Sequence, residues 1–165
     1  MTAEPRIDLH AGFVRTFVES GTTAHAPSLR ELTELARLLS TQLPAAYVQF
    51  MRQHGPVACH SMLRRIAERG LSQPDLRQFL APPEILKKSR DLWARQLPVE
   101  VFAFAVDSKR NAFCFRRSHS ARDDAPVLLF SVQRQTLADL CESFDGLLRR
   151  YVSDLRHDPV PAIPS

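Results

Sequence analysis

Glycine is scarce in this chain, with five residues among 165. A loop that cradles phosphate needs several glycines close together so that backbone amides can approach the ligand, and no such cluster exists. Cysteine is scarcer still. Cys59, Cys114 and Cys141 form an odd and widely spaced set, which is no disulfide framework and agrees with a reducing compartment. No apolar run approaches the length of a membrane span. The opening MTAEPRIDLHAGF lacks a basic segment followed by an apolar one, so no secretory signal is expected and the cytoplasm is the expected location. No serine sits in a nucleophile elbow and no histidine pair has zinc-hydrolase spacing. Internal repeats and low-complexity stretches are absent as well.

What is present is ordinary for a globular protein: 44% hydrophobic and 24% charged residues, in a length that suits one domain with a single core. The net charge is +4. Only Lys87, Lys88 and Lys109 are lysines, so arginine carries most of the positive charge. The excess lies mainly in residues 61–100, with 8 basic against 5 acidic residues. A nucleic-acid surface would call for a denser basic stripe interleaved with aromatics, so that partner is disfavoured.

The stretch LPVEVFAFAVDSKRNAFCFRR, residues 97–117, organises the chain. Two runs of alternating Val, Phe and Ala flank the polar cluster Asp107 to Asn111, a pattern that predicts a β-hairpin. Its first strand is apolar on both faces, so the sheet should be covered on both sides there. PVLLFSV, residues 126–132, predicts a third strand. Helices are expected over about 7–19, after the capping box Ser28-Leu29-Arg30-Glu31, and after Leu43-Pro44 up to Gly55-Pro56. A short helix is predicted from Ser61 to Ile66, another starting at Ser72-Gln73-Pro74-Asp75, and a longer one over 84–96. Leu137, Leu140, Cys141, Phe144, Leu147, Leu148, Tyr151, Val152 and Leu155 read as one continuous helical stripe. GTTAHAP, residues 21–27, is a linker, and DPVPAIPS, residues 158–165, a loose proline-rich tail.

Candidate chemistry is thin. His54, Cys59 and His60 resemble part of a metal set, but no partner pair at ligand spacing accompanies them, so no metal is expected. Asp107, Asp123 and Asp124 lie in loops and could converge as carboxylates, although aspartate is common in turns for backbone reasons alone. A Cys114–His119 dyad would need Cys114 to face outward, against the strand pattern. Lys109, Arg110, Arg116, Arg117 and Arg122 could form a basic rim at one sheet edge, either meeting a partner or guarding that edge from other chains. Trp93, among Lys87, Lys88, Arg90 and Arg95, is a core plug or, if exposed, an anchor for a protein partner.

The order of elements resembles the SUKH superfamily. LARLLSTQLPAAYVQFMRQHG is similar to its opening helical pair, APPEIL to its proline-glutamate segment, LPVEVFAFAVDSKRNAFCF to its central hairpin, and PVLLF with SFDGLLRRYV to its last strand and closing helix. The hairpin turn carries Arg110-Asn111 where Gly-Asn is common. The resemblance implies an α+β domain over 28–157, with residues 1–27 as an N-terminal helix and linker. Its expected core is a small antiparallel sheet, hairpin about 98–117 plus strand about 126–132, packed by an N-terminal helical hairpin and a long C-terminal helix. It implies no catalysis and no cofactor. Bacterial members are mostly immunity proteins that bind a cognate interbacterial toxin and occlude its active site, while eukaryotic members act as regulatory scaffolds in cell-wall synthesis. The mild positive charge leads us to expect a toxin with an acidic or neutral cleft. The expected contact residues are Asp107, Lys109, Arg110, Asn111, Arg116, Arg117, Arg122 and Trp93. A regulatory or scaffold domain is the alternative, and a small hydrolase using the loop carboxylates is the third reading.

Overall fold

The computed structural model describes residues 5–19 and 25–155. The 21–27 linker lies partly, and the 158–165 tail wholly, outside the described residues. In chain order the elements are α1 (Arg6–Phe17), α2 (Leu29–Leu39), α3 (Ala45–His54), α4 (Met62–Glu68), β1 (Gln78–Phe79), α5 (Pro82–Trp93), β2 (Val101–Val106), β3 (Ala112–Arg116), β4 (Val127–Ser131), β5 (Thr136–Cys141) and α6 (Phe144–Leu155). The fold is α+β, with one antiparallel sheet of five strands in the order β1-β2-β3-β4-β5.

The expected hairpin forms, with Val101 opposite Arg116 and Val106 opposite Ala112. Its alternation sends Phe102, Phe104, Phe113 and Phe115 into a core shared with α1, α3 and α6, while Val101, Ala103, Ala112 and Cys114 face a second cluster that includes Leu92 and Leu97. Both faces are therefore covered. Fully burying one Phe is worth roughly 1.5–3 kcal/mol, so the aromatic face dominates cohesion. There Phe104 and Phe115 stack with ring centroids 4.2 Å apart, and the edge of Tyr47 meets both rings. A register shift between Ala103 and Ala105 interrupts the ladder. Ser89 on α5 supplies the missing acceptor, its Oγ taking the Ala103 amide at 3.0 Å.

Helix starts follow their local chemistry. At α2 the Ser28 side chain accepts the Glu31 amide and the Glu31 carboxylate reaches back to Ser28, the reciprocal capping predicted. Gly55 ends α3 at φ 75°, a left-handed conformation that favours glycine. The helix expected over about 7–19 forms as α1 and packs through Leu9, Phe13 and Phe17, with His10 beside them in the interior.

Two assignments are corrected. No helix starts at Ser72. Instead Asp75 accepts the Ser108 amide at 3.0 Å and the Ser108 hydroxyl at 2.5 Å, which ties this segment to the hairpin turn. Gln78 and Phe79 then pair with Val106 and Ala105 as an edge strand. The long helical stripe is also two elements. Leu137, Leu140 and Cys141 belong to β5, which pairs along β4 from Ser131 to Val127. The helix begins only after Ser143, whose Oγ accepts the Gly146 amide at 2.9 Å. Residues at spacings of three and four fit a helix by coincidence, and the open edge of β4 overrides that local signal. Among the described residues no helix is long and apolar enough to cross a membrane.

Candidate functional site

The three loop carboxylates do not converge. Asp107 is buried in the hairpin turn, where it accepts the amides of Lys109 at 2.9 Å and Asn111 at 2.7 Å and the Asn111 side chain at 3.0 Å. Asp123 and Asp124 lie beyond β3, at the opposite end of the sheet. Asp123 is gripped by both terminal nitrogens of Arg6, at 2.9 and 2.6 Å. Asp124 caps α6, accepting the amides of Phe144 at 2.7 Å and Asp145 at 3.1 Å. Each carboxylate is committed to holding backbone or a cation.

The thiols are placed just as firmly. Cys59 and Cys114 are buried. Burial pushes the Cys59 thiol up to about 12, with Asp75 adding to the shift, and burial alone raises Cys114. A raised thiol is a poor nucleophile at neutral pH. His119 is exposed on the loop after β3, so the Cys114–His119 dyad does not form. Among the described residues no three His, Cys, Asp or Glu side chains gather as a metal set, so His54, Cys59 and His60 do not form one. His54 is half-buried and lowered by burial, then by neighbouring His10.

The proposed arginine rim divides into two ends. Lys109 and Arg110 are exposed at the hairpin turn, whereas Arg116 and Arg117 leave the far end of β3. At about 3.4 Å per residue the strand separates them by on the order of 15 Å. Arg117 lies over the Trp93 ring, 4.9 Å from its centroid. The indole donates to the Val101 carbonyl at 2.7 Å. Trp93 is thus half-buried, a plug with a stacked cation on it. Arg122 is structural, donating to the carbonyls of Arg116 at 2.6 Å and Gln42 at 3.3 Å. Asn111 is also occupied, its Oδ1 accepting the Val132 amide at 3.1 Å. Arg116 is exposed and reaches Asp139 only at 3.9 Å.

Arg110 meets residues that the sequence reading did not group with it. A groove of about 740 Å³ runs between α5 and the hairpin end of the sheet, lined by Lys88, Arg90, Asp91, Leu92, Arg95, Arg110 and Val132 among others. Lys88 and Asp91 follow at a spacing of three on one side of α5, and Arg95 joins them from the turn that follows the helix. That spacing was visible in the sequence. What brings Arg110 to it is tertiary: the Ser89–Ala103 bond and the burial of Leu92 lay α5 across β2.

The structure superposes on a crystal structure of a protein from Pseudomonas syringae pv. tomato with TM-score 0.53 and 14% identity, over 91% of this chain and 97% of that one. At that identity the likeness concerns the fold alone. Among curated proteins, none matches the chain. Residues 26–150 match the SMI1 / KNR4 family (SUKH-1). That span takes in the capped α2, the hairpin and most of α6, and the chain belongs to the SMI1 / KNR4 family of the SUKH superfamily.

Proposed function

We propose that this chain works by binding a protein, as an immunity protein that neutralises a cognate interbacterial toxin by covering its active site. The observation that carries this reading is how its polar groups are divided. Most of those of the interior and the loops hold the fold, while Lys88, Arg90, Arg95 and Arg110 stand at the surface around one groove. Family membership supports it, because bacterial SUKH domains are mostly immunity proteins. A stable inhibitor of this kind buries about 1,200–2,000 Å² in total, so contacts extend beyond the groove, and Arg116 and the Trp93–Arg117 pair are candidates for its periphery. The net charge of +4 suits a toxin with an acidic or neutral cleft, since opposed charge speeds encounter. The site of action is the cytoplasm of the cell that makes the toxin.

A regulatory scaffold with several partners is the second reading. It is favoured by Leu38 on α2, 43% exposed, which with Leu35, Pro82, Pro83 and Leu86 lines an apolar depression between α2 and α5.

Co-expression with a candidate toxin domain, sought among the genes next to this one, tests the proposal. Restored growth and a complex that survives size-exclusion chromatography are expected. Toxicity undiminished, with the two proteins eluting separately, overturns it.

A further inference from the structure

We infer that the groove between α5 and the hairpin end of the sheet is the docking site for an acidic segment of the protein partner, held by Lys88, Arg95 and Arg110. This rests on the reading of the chain as a partner-binding protein and assigns that partner's chemistry and place of contact.

Charge is the first argument. Four cations, Lys88, Arg90, Arg95 and Arg110, line the groove against one carboxylate, Asp91. Arg6, Arg37, Arg64 and Arg116 all reach an acidic side chain within 4 Å. Among the described residues Lys88, Arg90, Arg95 and Arg110, like most of the other cations, do not; what sets these four apart is that they line one depression. Like charges gathered around one depression repel, and a bound anion relieves that repulsion.

Backbone conformation at Arg110 is the second. It sits at φ 68°, in the left-handed region that glycine enters freely and that a Cβ disfavours. A glycine would make the easier turn. The chain instead places there the one hairpin side chain that lines this groove from the turn, and strained positions of this kind gather at functional sites.

The groove's remaining lining selects the class of partner. Leu92 and Val132 line it beside side-chain stems or a peptide backbone, and Asp91 offers an acceptor to a backbone amide. A polypeptide that mixes carboxylates with apolar residues and backbone amides uses the whole of this lining, whereas a phosphate backbone uses only its cations.

Backbone amide shifts of the isotopically labelled chain give the test, with three probes: a short glutamate-rich peptide, a lysine-rich peptide of the same length and a single-stranded oligonucleotide. The expected result is movement of the amides of 88–95, 110 and 132–133 by the glutamate peptide alone. Added salt should weaken it. Combining Lys88→Glu, Arg95→Glu and Arg110→Glu should lower the affinity by about tenfold or more, as for charge pairs that steer association, with thermal stability kept. Shifts that map elsewhere, or that survive the triple reversal, overturn the proposal. Tighter binding of the oligonucleotide at the same amides assigns the groove to nucleic acid and overturns it too. The candidate toxin domain separates the two levels of the argument. If wild type and triple variant bind it equally, the groove assignment fails and partner binding stands. If the glutamate peptide fills the groove and the toxin is ignored, the acid-binding site stands and the immunity reading fails.

Discussion

His10 Nε2 lies 2.7 Å from Asp145 Oδ1 with the imidazole wholly buried. The other carboxylate oxygen accepts Arg6 Nε at 2.6 Å, and the rest of that guanidinium holds Asp123. This network fastens α1 to the start of α6 and to the loop after β3. The edges of Phe50 and Phe144 meet the imidazole, with centroids 5.3 and 6.0 Å away, and shield it from water.

Burial alone would raise the Asp145 carboxyl, but hydrogen bonds from His10 and Arg6 outweigh it and hold the group below the usual carboxylate range. A depressed folded-state value means that Asp145 stabilises the fold above the unfolded-state value of about 3.9, and that this contribution fades as pH falls through the folded-state value. Asp145→Asn should cost about 2 kcal/mol near neutral pH, the scale of a charged hydrogen bond lost from the interior. Urea denaturation repeated from about pH 6 down to about pH 3 should show the wild type losing more stability than the variant. Parallel curves would contradict this role.

Asp124 caps α6 from a loop some twenty residues upstream, a separation that hides it from any local capping pattern. Asp124→Ala should destabilise the protein by about 1 kcal/mol, the typical loss of a helix cap. Asp124→Asn keeps an acceptor oxygen and should lose less. Thermal denaturation of both variants checks the order.

Arg110→Gly should move stability and binding in opposite directions. Relief of the left-handed backbone is worth about 1 kcal/mol, which for a chain of this size raises Tm by about 2–4 °C. Affinity for the glutamate-rich peptide should fall. A melting curve and a peptide titration on the same preparation decide it; a variant that melts lower or binds as before contradicts the account of the hairpin.

Cys141 is the accessible thiol of the three. Cys59 and Cys114 are buried and their thiols raised, whereas Cys141 is half-exposed on β5, 3.6 Å from the Arg150 guanidinium. A thiol reagent added to the native protein should modify one equivalent quickly and the other two only on unfolding. Rapid reaction of Cys114 would show that the sheet is open where it is described as closed.

Most short-range signals in the sequence held, the helix start expected at Ser72 being the exception because Asp75 is engaged by Ser108 of the hairpin turn. Ser28 and Glu31 announce α2, Gly55 ends α3, and the alternation of 99–115 locates the hairpin, because each depends on residues within a few positions of one another. The misses were non-local. Leu137 to Cys141 carry a helical spacing and became a strand because β4 offered an unpaired edge. Gln78 and Phe79 became β1 because β2 did. The arginine rim was grouped by sequence proximity, but a strand carries its two ends apart, so Arg110 joined Lys88 and Arg95 rather than Arg116. The partner of Arg6 is likewise invisible locally, since Asp123 lies 117 residues away. Asp107 could be recognised as a turn residue, and that reading of it was sufficient.

The central claim is that this chain acts by occupying its partner and transforms nothing. Titrating it into a fixed amount of the candidate toxin while following toxin activity tests that claim most directly. Activity should fall in a straight line and reach zero at one fixed molar ratio, with reversed-charge variants of Lys88, Arg95 and Arg110 giving a shallower curve. Loss of all toxin activity at a small fraction of an equivalent, deepening with time, would mean that the chain turns over, and would contradict the account.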